Sequence, residues 1–282
     1  MNKSLYKYFP IFVLPTLIAF AISFLVPFLM GLYLSFTEFT TVSNATFVGL
    51  SNYIKALSPT STFWHALLFT VGFTVVSTVS VNLIAFALAL LLTRGRRGTN
   101  ALRTVFFMPN LIGGIVLGYI WQLIINGMLA GLGVDITYSA TYGFWGLVLL
   151  TNWQLIGYMM VIYIAGLQSV PKELHEVASI DGANAWQSLK HVTMPLVAPA
   201  VTICTFLTLT NSFKMFDQNL ALTGGAPAKE SSMLALDIYQ TFYGSVGNEG
   251  VGQAKAVIFF LLVAAIAGTQ LYFSKKREGS TE

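Results

Sequence analysis

In the run 173-ELHEVASIDGANAWQSLKHVTMP-195 stand three acids, two histidines, a glycine and a closing proline, and it is the least apolar stretch of the chain. What flanks it decides the fold. Residues 143–167 carry no charge, and residues 196–216 carry only Lys214 close to their end. Each run has the roughly 20 mostly apolar residues that a helix needs to cross the hydrocarbon core of a bilayer. The polar stretch is therefore a loop between two spans, lying in water at a membrane face.

The same criterion, applied along the rest of the chain, gives six spans: Phe9 to Ser35, Trp64 to Leu92, Thr104 to Ile125, Gly143 to Leu167, Leu196 to Phe216 and Val251 to Phe273. Composition agrees, because 55% of the 282 residues are hydrophobic and only 9% charged, against about 25% charged in soluble domains. Lys3, Lys7 and Ala19-Phe20-Ala21 imitate a cleavable signal, but the apolar run continues to Leu34 and predicts a retained anchor. No linker, low-complexity tract or repeat divides the chain, so residues 1–282 are expected to form one all-α membrane domain. Pro27, Gly72, Gly113, Gly114, Gly118 and Gly157 fall inside spans, where small residues permit close helix packing.

Charge sets the orientation. Lys3, Lys7, Arg94, Arg96, Arg97, Arg103, Lys172, Lys190, Lys275, Lys276 and Arg277 fall on one side of the six spans. The opposite loops hold Lys55 and Lys229, while Lys214 and Lys255 lie near span ends. The excess predicts that both termini and the stretch 173–195 are cytoplasmic. Because these cations flank apolar runs rather than gathering with aromatics in one patch, they point to topology and membrane lipid, not to nucleic acid. Asn44-Ala45-Thr46 matches a glycosylation sequon, a pattern that arises readily by chance.

Several chemistries are missing from the sequence. There is no GxxxxGK[ST] loop to hold nucleotide phosphates and no HExxH pair, and His65, His175 and His191 lack metal-ligand spacing. The single cysteine, Cys204, forms no intramolecular disulfide, and no nucleophile-elbow motif marks a serine. Ion-coupled carriers keep costly carboxylates within their spans. Here Glu38, Asp135, Asp217 and Glu249 lie at or beyond span ends, so energy for uphill transport is expected from outside the chain. No catalytic residue, resident metal or cofactor is expected.

Within the opening stretch, Pro171 suits a first helical turn, and Glu173 and Glu176 favour the positive end of a helix dipole. Leu174, Val177 and Ala178 give an apolar stripe. Asp181-Gly182 predicts a left-handed helix end, Ala185 to His191 a second short helix, and Pro195 the return to the membrane. Two readings fit such a hook: a contact for another protein, or an amphipathic pair resting at the interface.

The stretch resembles the EAA loop of ABC importer permeases, with the pattern E-A-A, three residues, G, nine residues, then I-x-L-P. Here Glu176-Val177-Ala178, Gly182 and Val192-Thr193-Met194-Pro195 keep every spacing, with Val177, Val192 and Met194 as apolar replacements. The runs 47-FVGLSNY-53 and 213-FKMFDQNLALTGGAP-227 resemble the sugar-type permeases related to the maltose and glycerol-phosphate systems, the first run being typical of the F-type subunit; Ala226 interrupts the usual T-x-GGP. The resemblance covers nearly the whole chain. It implies one half of a transport path in a bacterial or archaeal cytoplasmic membrane, paired with a G-type permease, two ATP-binding subunits and an external solute-binding protein. ATP and magnesium would be bound by the ATPase. The loop 168–195 would be its coupling element, through Glu176, Ala178, Asp181, Gly182, Ala183 and Pro195.

Polar faces mark where a solute would pass. Gln154 and Tyr158 lie one turn apart in the fourth span. Thr208, Asn211, Ser212 and Met215 recur at i, i+3, i+4 and i+7 in the fifth. By resemblance to maltose-type permeases, Gln154, Tyr158, Thr208, Asn211 and Ser212 take the role of sugar contacts, with Tyr158 or Trp153 available to stack on a ring. The same side chains also suit interhelical hydrogen bonding. Lys214 beside this stripe leaves a glycerophosphate-type solute as an alternative cargo. An ion-coupled carrier or a membrane-embedded enzyme are alternatives of a different class.

Overall fold

The computed structural model describes residues 3–93, 98–244 and 246–278. Arg94, Arg96 and Arg97, counted above among the cytoplasmic cations, lie outside them. Helix α1 (Lys3–Phe20) runs through a π-helical turn (Ala21–Leu25) into α2 (Val26–Leu34). That turn precedes Pro27, which cannot donate to the helical ladder. A two-residue hairpin follows, β1 (Thr37–Glu38) antiparallel to β2 (Thr46–Phe47), and then α3 (Ser51–Ala56), α4 (Phe63–Leu92), α5 (Thr99–Phe107), α6 (Gly114–Leu129) and α7 (Ala140–Gln168). The rest of the chain forms α8 (Lys172–Ile180), α9 (Ala185–Ser188), α10 (Met194–Phe213), α11 (Asp217–Leu222), α12 (Leu234–Gly244) and α13 (Glu249–Glu278).

Six of these stretches are long and apolar enough to span a membrane: Ile11–Leu34, Phe63–Leu92, Gly114–Leu132, Ala140–Gln168, Ala185–Phe213 and Glu249–Gln270. The third differs from the expectation of Thr104 to Ile125. Pro109 sits in a 3-10 turn (Met108–Leu111), and Ile112 and Gly113 are extended with ψ of 130° and 142°. The backbone therefore breaks, leaving Thr104–Phe107 in α5 and restarting the span at Gly114. The second hook helix also differs: α9 passes through a π-helical turn (Leu189–Thr193) directly into α10, so Pro195 lies in a continuous helix rather than at a re-entry. The π turn is where the ladder accommodates the missing N–H of that proline. At the far end α10 stops at Phe213, and Met215 falls outside the helical stripe expected for it.

Two compact units emerge from the packing. The first comprises Met1–Phe63 with Ile238–Phe260. Its centre is polar as well as apolar: Asn52 Nδ2 donates to the carbonyls of Ser35 (3.0 Å) and Thr37 (2.8 Å), and Ala56, Val251 and Ala254 pack beside it. Lys255 is buried in α13 and donates to the hydroxyls of Thr241 (2.9 Å) and Thr62 (3.2 Å).

The second unit, Trp64–Asp237 with Leu261–Glu282, carries the two larger cores. Helix α7 runs through both: Leu147 and Leu150 pack with Phe73, Leu117 and Leu222, while Met159 and Tyr163 pack with Val81, Ala85 and Cys204. Hydrogen bonds fix the register between spans. Tyr163 donates to Asn82 Oδ1 (2.7 Å), Asn82 Nδ2 donates to Thr208 Oγ1 (3.2 Å), and Asn152 Nδ2 donates to Ser80 Oγ (2.9 Å). Such bonds replace, in lipid, part of what hydrophobic burial does in water.

Candidate functional site

The coupling-loop candidate, residues 168–195, is built from its turns. Helix α8 begins at Lys172, with Pro171 just outside the helix rather than in its first turn. It ends where Gly182 takes φ +79°, with the Ala183 N–H donating to the Ala178 carbonyl (2.9 Å) and the Gly182 N–H to that of Ser179 (3.1 Å). These paired bonds are a Schellman turn. Two residues on, Asn184 and Gln187 exchange side chain-to-backbone bonds of 2.9 and 2.8 Å, a capping box that starts α9. His175 Nδ1 and Ser188 Oγ lie 3.0 Å apart across the hook. The two helices are thus fixed in angle by local chemistry. Where α8 faces the π turn and the start of α10, Leu174, Val177, Ala178, Asp181, His191, Val192, Pro195 and Leu196 line a cavity of ≈ 390 Å³. Glu176 is exposed, and Ile180 and Trp186, 84% and 69% exposed, give the hook apolar tips in water.

A second cavity lies at the other end of α10. Asn110, Gln154, Leu155, Asn211, Lys214, Met215, Phe216, Asp217 and Gln218 enclose ≈ 320 Å³. Gln154 occupies the middle of α7, is nearly buried, and its Oε1 accepts from Gln218 Nε2 (2.9 Å). Helix α11 brings Gln218 there by lying against α6, which the glycines of α6 allow. A Cβ on Gly114 would stand 2.7 Å from Asp217 Cβ, and one on Gly118 would stand 2.7 Å from Ala221 Cβ. Gln122 Nε2 adds a bond to the Leu222 carbonyl (3.0 Å). Beyond α11 a buried polar knot holds the chain, with Asn219 Nδ2 donating to the Ser231 carbonyl (2.8 Å) and Ser231 Oγ to Thr223 Oγ1 (2.9 Å).

Of the five residues expected along the path, Gln154 and Asn211 share this cavity. Tyr158 is half-buried with its ring against Phe107 at 6.4 Å, and Trp153 meets Trp121 at 5.8 Å. Thr208 is fully buried between spans, donating to the Cys204 carbonyl (2.8 Å) as well as accepting from Asn82. Ser212 is buried with its hydroxyl unpartnered among the described residues. The polar stripes of the sequence do not mark Asn110, Asp217 and Gln218 as neighbours of Gln154. Only the glycine pair of α6, spaced by four, hinted that another backbone approaches there. The described residues contain no cluster of three or more His, Cys, Asp or Glu able to hold a metal.

A predominantly helical multi-pass membrane protein with a capped hook and an amide-lined cavity fits the class of transport permeases. This chain is a member of the binding-protein-dependent transport system inner membrane component family, whose model matches residues 82–279. It is 45% identical over 277 residues to the probable starch degradation products transport system permease protein AmyD of Thermoanaerobacterium thermosulfurigenes, covering 95% of this chain and 94% of that one. It is 29% identical over 262 residues to the trehalose/maltose transport system permease protein MalF of Thermococcus litoralis, covering 89% and 88%. The fold matches a chain of a bacterial ABC transporter that imports the acidic polysaccharide alginate, with TM-score 0.82, 18% identity and coverage of 97% and 98%. Another structure of an alginate ABC transporter, with TM-score 0.80, holds an alginate pentasaccharide-bound periplasmic protein.

Proposed function

We propose that this chain is the F-type permease subunit of an ATP-driven importer of neutral oligosaccharides, working as one permease domain in the cytoplasmic membrane. The observation that carries the cargo class is the cavity in which Gln154, Asn211, Asn110 and Gln218 present side-chain amides. Each amide both donates and accepts, which suits hydroxyl-rich, uncharged solutes. The relatives named for starch products and for trehalose and maltose support the same class.

Transport by this reading is mechanical on the part of this chain. A solute-binding protein delivers the sugar, a G-type permease supplies the other wall of the path, and two ATP-binding subunits hold ATP and magnesium. The hook docks into one ATPase through Ile180, Trp186 and the groove beside Ala178, with Glu176, Asp181, Gly182, Ala183 and Pro195 shaping it. Because α9 is continuous with the fifth span through the π turn, displacement of the hook moves α10, and with it Asn211 at the far end of that helix. Tyr158 and Ser212 would line the path as it opens, while Thr208, buried against Asn82, would hold the moving spans together.

The test is purification of the tagged chain from native membranes, followed by reconstitution. A second permease and an ATPase co-purifying, with uptake of labelled maltotetraose that requires ATP and the binding protein, is the expected result. Uptake by the chain alone, driven by an ion gradient, would replace this reading with that of a secondary carrier.

A further inference from the structure

The cavity that holds Gln154 also holds two opposite charges that the sugar reading leaves unexplained. Lys214 follows the end of α10 and Asp217 opens α11, and both line the cavity. Among the described residues neither side chain makes a hydrogen bond or ion pair. Each charge suits its helix end through the dipole, yet that preference does not require either to face a chamber of amides. Asp217 is held there from two sides, by the missing side chain of Gly114 beneath it and by the bond of its neighbour Gln218 to Gln154.

We propose that Lys214 and Asp217 form a charge filter, in which Asp217 is the specificity-determining residue that turns away anionic saccharides. The inference rests on the sugar reading above and narrows it. The lysine alone would draw phosphate or carboxylate groups into the cavity. With the carboxylate in the same chamber the lining sums to zero charge, so an anion meets attraction and repulsion together, while a neutral sugar can donate hydroxyls to Asp217 and accept from Lys214. Charged acceptors and donors make stronger hydrogen bonds than amides do. An unpaired carboxylate about 6 Å from a bound anion, at an effective dielectric constant of about 20, is enough to change affinity by about tenfold or more.

The experiment uses the purified complex with its partner permease and ATPases in nanodiscs, without the binding protein, whose own selectivity would mask the filter. Equilibrium binding is measured for maltotetraose and for maltotetraonate, the same saccharide with its reducing end oxidised to a carboxylate. The parent should favour the neutral probe. Asp217→Asn should shrink that preference by about tenfold and Lys214→Gln should enlarge it, both changes fading as salt rises. Asp217→Glu should keep the parent's preference, which separates charge from side-chain shape. If Asp217→Asn fails to assemble, Lys214→Gln and Asp217→Glu decide the matter alone. Maltotetraose binding with a neutral-to-anion ratio indifferent to both charges overturns the filter and leaves the sugar reading intact. Binding of neither probe by the parent overturns the filter, and the sugar reading is then decided separately by the reconstituted uptake of maltotetraose.

Discussion

Gln154 and Thr208 were both polar candidates for touching a solute, but their surroundings give them different work. Gln154 faces a cavity with Gln218 and Asn211, so Gln154→Ala and Asn211→Ala should weaken or re-tune oligosaccharide uptake by several-fold while the complex still assembles. Uptake rates across a sugar series check this; parent-like profiles in both variants would contradict the assignment. Thr208 instead closes the Asn82 bond between spans. Thr208→Val should therefore cost about 0.6 kcal/mol or somewhat more in thermal stability in detergent, with the sugar profile unchanged. The sequence placed both residues on polar stripes, and a stripe does not say whether it faces a neighbouring helix or a void.

At the scale of elements, what was readable were features with a local cause. The turn at Gly182 and the helix before it follow from Asp181-Gly182, because the left-handed conformation is a property of one residue. The break before α6 is hidden in the sequence, although Pro109 and Gly113-Gly114 carry it, since an apolar run masks its own interruptions in a window of about 20 residues. Among the described residues the closest approach is at Gly157, where an added Cβ would run into the backbone carbonyl of Phe106. Gly157→Ala should push α5 from α7 and cost about 1–3 kcal/mol of stability. Gly113 has open space and φ of −61°, so Gly113→Ala should leave the melting temperature near that of the parent. Equal melting of the two variants would mean that this packing is slack.

Across the whole molecule, the six spans were legible because lipid enforces length and apolarity on every crossing segment. The cavity was not, because it depends on α11 folding back onto α6, and no periodicity records a return of that kind. Orientation rests on charge asymmetry alone. Single cysteines at Arg96 and Ser188, in a Cys204→Ala background, should react with impermeant reagents only from the cytoplasmic side; labelling of either in sealed cells would invert the topology.

The central claim is that the hook transmits ATPase motion to the spans, and Gly182 isolates it. Space around its Cβ position is open, so a substitution there acts through backbone strain and not through a clash. At φ +79° a side chain costs of order 1 kcal/mol, and a branched one more. The measurement is the ratio of sugar moved to ATP hydrolysed by Gly182→Val complexes in proteoliposomes. The variant should reach the membrane with its spans folded, yet either lose its ATPase subunits or hydrolyse ATP with little uptake. A parent-like ratio at parent-like rates would show that the hook is a resting interfacial loop and that coupling runs elsewhere.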